Sequence, residues 1–369
     1  MATAANVAEK TALRSLPFTV KRDFRKTLNE RVNAYLRDNN LPARDLPAMH
    51  LKTVVVMGAW LGIYLLILLG HLPPLVNLAL CLVWGMAIAS VGFNVMHDAN
   101  HGGYSDNPRI NSLVSLSAEL LGMSGFRWRT KHNVWHHTYT NIAGFDDDVE
   151  TFGLMRLTPR MPWKPLFRVQ VGYFWLVYSM IGFDFFLRDF MMVFTGKSDD
   201  NHVYPKMTTL DQITFWAGKL FYVLIMFVLP LQVFPWWQVL IGYVVVMLTV
   251  GLVMGVVFQL AHINGDVTFP QPVGDPQHIE NEWAVHQVET TADFAPHNQL
   301  LNFYIGGLNY QIEHHLFPHV CHLNYPRIAP IVRATCEEFG VHYQCYPTWR
   351  QAFTGHLREL LLLGRSAAV

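Results

Sequence analysis

Two stretches without a single Lys, Arg, Asp or Glu, Thr53–His97 and Leu220–Gly265, limit what this chain can fold into more than any other feature. Each is longer than 40 residues, and a helix needs about 20 apolar residues to cross hydrocarbon. Each is also broken near its middle. The first breaks at His71-Leu72-Pro73-Pro74, the second between Pro230 and Pro235-Trp236-Trp237. Proline ends helices, and Trp favours the membrane interface. The pattern predicts two helical hairpins with four spans, at roughly 53–70, 75–96, 213–231 and 237–261. Composition agrees, because 15% charged residues is well below the roughly 25% of a soluble domain. A formal net charge of zero argues against nucleic acid as a partner.

Basic residues set the orientation. Lys21, Arg22, Arg25, Lys26, Arg31, Arg37, Arg44 and Lys52 precede the first hairpin. Arg109, Arg127, Arg129, Lys131, Arg156, Arg160, Lys164 and Arg168 lie between the hairpins, and the two tips have none. The positive-inside rule then puts both termini and the central segment in the cytoplasm. The first 20 residues lack the pattern of a secretory signal. Cys81, Cys321, Cys336 and Cys345 have no C-x-x-C spacing, so they suggest neither a disulfide framework nor a zinc knuckle. Residues 167–194 are aromatic-rich but contain Asp184, Arg188 and Asp189, which are costly in hydrocarbon. They read as helices lying in the interface. Lys21–Leu36, with Phe24, Leu28, Val32 and Leu36 at helical spacing, reads as a surface helix or one packed on the domain.

Three histidine clusters carry the chemistry: His97-Asp98-Ala99-Asn100-His101, His132-Asn133-Val134-Trp135-His136-His137 and Gln311-Ile312-Glu313-His314-His315. Residues four apart share a helix face. His97/His101, His132/His136 and Gln311/His315 can therefore each aim two side chains at one point. In the predicted topology all three clusters lie on the cytoplasmic side, where His262 also ends the fourth span. Imidazole ligates iron, copper, nickel and zinc. The number of imidazoles exceeds what one tetrahedral zinc needs, so two metals are the simpler reading. Zinc carries no electrons, and the H-E-x-x-H motif of zinc proteases is absent. Soluble di-iron bundles use Glu-x-x-His pairs, unlike these nitrogen-rich clusters. Oxygen activation on a lipid, with iron as the metal, fits best. Gln311, Asp98 and Glu313 are further candidates as ligands or supports. The acidic run Asp146-Asp147-Asp148 is either a solvated loop or support for the ligand histidines.

The boxes H-x3-H, H-x3-HH and Q-x2-HH resemble those of the membrane fatty acid desaturase family. The segment Asn309-Tyr310-Gln311-Ile312-Glu313-His314-His315-Leu316-Phe317-Pro318 is similar to the third box of front-end acyl desaturases, where Gln replaces the first His. His97–Gly103 and His136–Asn141 are similar to that subgroup too, and the resemblance runs from about residue 20 to 350. It implies a fold: all-α integral membrane, with four transmembrane helices as two hairpins and a cytoplasmic helical cap carrying the histidine boxes. It implies one domain divided into 1–52, 53–96, 97–212, 213–261 and 262–369. It also implies two Fe ions in a non-haem di-iron centre, with O2 as co-substrate. The implied ligands are His97, His101, His132, His136, His137, His314 and His315, with His262 as an additional one. The reaction would place a cis double bond in a fatty acyl substrate carried on CoA, on carrier protein or in a lipid. No fused cytochrome b5 motif (His-Pro-Gly-Gly) and no Rossmann fingerprint occurs. Electrons would come from an external donor such as ferredoxin or cytochrome b5. Arg127, Arg129 and Lys131 are a candidate docking cluster.

Two other readings compete: a di-iron lipid hydroxylase or related oxygenase on the same scaffold, and a haem or metal-ion membrane protein without catalysis. A metal transporter should place its ligands near mid-bilayer, whereas these clusters sit at one interface. His71 falls at a hairpin tip. His50, His202, His278, His286, His342 and His356 stand alone in the sequence, and His297, His319 and His322 flank the third box. Trp128, Trp135 and Tyr139 could line an acyl tunnel or simply pack. Gly251 and Gly255 fall inside a span, where small residues serve helix packing.

Overall fold

The computed structural model describes residues 16–149, 151, 153–198 and 202–365. Most of the stretch read for a secretory signal, residues 1–15, lies outside them. Four helices among the described residues are long and apolar enough to cross a membrane. Helix α2 (Pro47–Leu69) is followed by α3 (Pro74–Val91), which runs on through Gly92–Met96 into α4 (His97–His101). Helix α7 (Thr209–Val223) extends to Gln232, and α8 covers Trp236–His262. Pro lies at the first position of α2 and α3, where its missing N–H costs nothing. The second span reaches His101 rather than residue 96, so the first histidine box is the last turns of a membrane helix. The first span begins at Pro47, six positions before the expected 53, and takes in Lys52.

All four helices share one core. Trp60 and Tyr64 of α2, Trp84 and Ile88 of α3, Tyr222 of α7 and Met247 and Val250 of α8 are buried together. The Tyr64 hydroxyl donates to the Ile225 carbonyl at 2.7 Å, and the Trp84 indole donates to the Trp60 carbonyl at 3.0 Å. The outer faces expose Leu51, Leu61, Leu75, Leu220, Trp236 and Leu240. So large an apolar surface is one that lipid would cover.

Residues 167–194 form α5 (Gln170–Ser179) and α6 (Ile181–Thr195), each too short to span hydrocarbon alone. Both pack on α8. Cβ atoms at Gly251 and Gly182 would collide with the backbone carbonyls of Ser179 and Met247, and one at Gly255 would lie 2.8 Å from Tyr178 Cβ. Small residues here allow backbones to meet. The charged side chains of α6 turn inward. Asp189 is fully buried and takes Arg127 Nε and Lys219 Nζ, each at 2.5 Å.

On the histidine side, helix α1 (Phe24–Asp38) buries Phe24, Leu28, Val32 and Leu36. They lie against Val285 and Val288 of α9 (Trp283–Glu289), Ile312 of α10 (Gln311–Leu316) and Ile328 and Val332 of α11 (Tyr325–Phe339). The packed alternative for Lys21–Leu36 therefore holds. A two-residue parallel pair, β1 (Asp293–Phe294) with β2 (Cys345–Tyr346), interrupts the all-helical expectation. Helix α12 (Trp349–Arg365) closes on α5 through Leu360 and Leu363.

Candidate metal centre

The local backbone explains how three clusters supply so many rings. At the end of α4, Gly102 adopts φ 74°, and the Gly102 and Gly103 N–H groups cap Ala99 and Asp98. Glycine at that position stops the helix just past His101. The second box lies on a wide, π-type helical stretch, Arg129–His136. There the His137 N–H reaches back to the His132 carbonyl, five residues away. An ordinary helix stacks only residues three and four apart. The wider turn brings His137 as well as His136 over His132. Box three occupies α10, and His262 ends α8.

The eight histidines converge. One ring nitrogen from each of His97, His101, His132 and His314 lies within 4.8 Å of the others, and the same holds for His136, His262 and His315. His137 stands between the two groups, with its ring centroid 4.7 Å from His101 and 4.3 Å from His315. His101 is partly exposed and the other seven are buried. His101, His136, His314 and His315 each keep Nε2 buried with no hydrogen-bond partner, and His137 keeps Nδ1 so. An unsatisfied buried polar atom costs about 1–3 kcal/mol. His137 Nε2 and His132 Nε2 lie 3.2 Å apart, and both are acceptors unless a proton or cation stands between them. Burial pushes His132 down to about 3 and holds His137, His314 and His315 well below the ordinary imidazole range. These rings are neutral and ready to ligate. The donor set fits a pair of metal ions.

Neighbouring groups fix the ring tautomers. Asp146 is fully buried and accepts from His136 Nδ1 at 3.0 Å, which leaves Nε2 free. Burial alone would lower His136, but the Asp146 and Asp148 carboxylates outweigh it and raise the ring. Gln287 Oε1 accepts from His315 Nδ1 at 2.7 Å. Of the two readings of the acidic run, support for the histidines is the one the geometry matches. Asp98 stands behind the rings, its Oδ1 3.9 Å from His97 Nδ1. Its Oδ2 takes His322 Nδ1 at 2.8 Å, and His322 Nε2 lies 2.8 Å from Lys52 Nζ. Glu313 turns away, towards Tyr343, whose hydroxyl lies 2.9 Å from Glu313 and 2.5 Å from Asp293. Gln311 sits inside the constellation, its amide nitrogen 3.0 Å from His262 Nε2. The sequence reading passed over Gln287 and took Lys52 only as a cation flanking the first hairpin, since a single polar residue shows no pattern that reveals a buried partner. Among the other histidines, His356 is a packing residue between Tyr178 and the Ile263 carbonyl.

A cavity adjoins the rings. His97, His132 and Gln311 line it together with Gly92, Phe93 and Met96 from the second span, Met254, Val257 and Phe258 from α8, and Val177, Ile181 and Phe185 from α5 and α6. Trp128 lines it too, whereas Trp135 packs against Tyr204 and Tyr139 against Phe145. The expected docking cluster does not form. Arg127 is buried on Asp189, Arg129 hydrogen-bonds Asn100 Oδ1 at 3.0 Å, and Lys131 pairs with Asp148 at 2.7 Å. Three neighbouring cations in sequence are spent on three inward contacts.

Comparison with known proteins matches this arrangement. The fatty acid desaturase family profile covers residues 72–347. The chain is 42% identical to the sn-1 linoleoyl-lipid 6-desaturase of Arthrospira platensis, over 88% of each sequence. It is 38% identical to the sn-1 linoleoyl-lipid 6-desaturase of Synechocystis sp., over 95% of this chain and 98% of that protein. It is 37% identical to the acyl-lipid (8-3)-desaturase of Physcomitrium patens, over 93% of this chain and 72% of the other. With a histidine-lined centre beside an apolar cavity, and this similarity along nearly its whole length, the chain belongs to the fatty acid desaturase family and is a fatty acyl desaturase of the front-end type.

Proposed function

We propose that the chain inserts a cis double bond near the carboxyl end of an acyl chain esterified to a membrane lipid. It would use O2, two iron ions held by the histidine constellation, and electrons from a separate donor protein. The carrying observation is the meeting of eight imidazoles, six of them with an unpartnered buried nitrogen, beside a mostly apolar cavity whose wall His97 and His132 join. His97, His101, His132 and His314 would hold one ion and His136, His262 and His315 the other, with His137 between them. Iron with O2 and two electrons supplies the oxidant that removes one hydrogen from each of two neighbouring methylenes, and both oxygen atoms leave as water. The remaining work belongs to the protein. Asp146 and Gln287 keep the ring tautomers that present free nitrogens. Asp146 and Asp148 also offset cationic charge that neutral imidazoles cannot. Phe93, Met96, Val257 and Phe258 hold the methylenes against the rings and exclude water.

A lipid-linked substrate is favoured because the named relatives act on linoleoyl-lipid and acyl-lipid. Both cavity-lining helices α5 and α6 also expose apolar side chains such as Trp175, Leu187 and Phe194. The four spans form two hairpins within one domain, with both termini and the metal centre on the cytoplasmic side, as the basic residues favour. The test is lipid profiling of a host expressing the chain, with gas chromatography locating any new double bond. Loss of two hydrogens from the substrate mass is expected, whereas gain of one oxygen would assign a hydroxylase. His136→Ala should remove the product while the protein stays in the membrane, and retained product would strike His136 from the ligands.

A further inference from the structure

The reaction proposed above takes two electrons from outside the chain. Two hydrogens leave the substrate, two electrons come from a carrier and two protons from water, and O2 leaves as two water molecules. Electrons must therefore enter through the protein surface near the rings, and the cluster around Arg127 is buried or paired. A different surface has the required features. Lys21, Arg22, Arg25 and Lys26 are all exposed at the start of α1, with Asp23 as the one acid among them. The nearby Glu282, whose carboxylate accepts the backbone N–H groups of Arg22 and Arg25 at 2.9 and 2.8 Å, and Asp23 together offset only two of these four cations. Those bonds pin the basic turn to the start of α9. There the Arg25 guanidinium lies 4.6 Å from the ring centroid of the half-buried Trp283. The Trp283 indole donates to the backbone carbonyl of His137 at 3.1 Å. One aromatic ring and one hydrogen bond thus join the basic surface to the histidine that stands between the two groups.

We propose that the basic turn Lys21–Lys26, with the Trp283 ring beneath Arg25, is the docking surface of an acidic electron-carrier protein, and that Trp283 is the entry to the metal centre. This rests on the desaturase reading, which supplies the need for electrons. Charge complementarity selects the partner: a net positive turn steers an acidic surface into contact and orients it.

The test compares the wild-type chain in nanodiscs with a Lys21→Glu/Arg22→Glu/Lys26→Glu variant, each titrated with an acidic [2Fe–2S] ferredoxin. The variant's dissociation constant should rise about tenfold or more at low salt, and the gap should shrink at high salt. A Trp283→Phe variant should keep its affinity but slow the reoxidation of reduced ferredoxin in stopped flow. Equal affinities for wild type and the triple variant would overturn the surface. So would wild type that ignores ferredoxin and uses the same turn to bind phosphatidylglycerol vesicles. An unchanged electron-transfer rate in Trp283→Phe would remove Trp283 as the entry. If ferredoxin binds as expected but reduced, iron-loaded wild type in nanodiscs of linoleoyl-lipid forms no product with a new double bond once O2 is admitted, the reaction proposed above fails and the surface stands.

Discussion

Replacing Asp146 with Asn changes one atom and should loosen the metal. Three N–H groups converge on this carboxylate. Oδ1 accepts from His136 Nδ1 at 3.1 Å and from Asp148 N at 2.9 Å, and Oδ2 from His136 Nδ1 at 3.0 Å and from Asn141 N at 2.9 Å. Whichever way an asparagine amide turns, its NH2 meets a backbone donor. The variant loses one backbone hydrogen bond and the charge that strengthens the bond to His136. Hydrogen bonds to charged groups contribute about 1.5–3 kcal/mol each. Loss of a carboxylate behind a metal-bound histidine typically costs roughly 10- to 100-fold in metal affinity. Asp146→Asn is therefore expected to hold ferrous iron 10- to 100-fold less tightly. The assay is anaerobic competition with a chelator, with iron per chain read by mass spectrometry. An affinity within about twofold of wild type would refute the claim that Asp146 sets the His136 tautomer for ligation.

Three further variants have expected outcomes. His137→Ala removes the ring shared by both histidine groups, so iron content should fall for both ions together, and loss of only one would give His137 to a single site. Asp189→Asn leaves the buried Arg127 and Lys219 facing a neutral amide, which should cost about 3–5 kcal/mol; an unchanged detergent melting curve would contradict it. Burial pushes the Glu119 carboxyl from the ordinary 4.5 up to about 7. A carboxyl raised in the fold penalises the folded state as pH climbs through that window, so Glu119→Gln should be more stable than wild type at pH 8, by up to about 3 kcal/mol, and equal to it near pH 4. Equal melting at both pH values would place the Glu119 carboxylate in a solvated setting.

The spans and the three boxes were legible because each rests on a pattern: absence of charge over a bilayer's thickness, and imidazoles at helical spacing. The ends of the helices were less so. Lys52 hid the first turns of α2, since a lone cation reads as a boundary unless its buried partner His322 is known. The cluster around Arg127 was misread for a related reason. Positive charge flanking a span is expected whether it faces solvent or, like Arg127 on Asp189, is buried in an ion network 62 residues apart in sequence. Gln287 and Trp283 were invisible because their roles depend on which helix they face. Glu313 adjoins candidate ligands in sequence yet turns to Tyr343, whereas Asp98 keeps one oxygen beside His97 and the other on His322.

The wide turn at Arg129–His136 has a consequence for how such a centre can arise or be lost. A π-type turn amounts to one residue inserted into an ordinary helix. Deleting a single codon within it other than those of His132 and His136 would let the helix rewind and swing everything downstream by about a quarter of a turn or more. The distal rings of the second box would then leave the histidine constellation although no histidine had been mutated. Loss of function in a relative can therefore be sought in the length of this segment as well as in its letters.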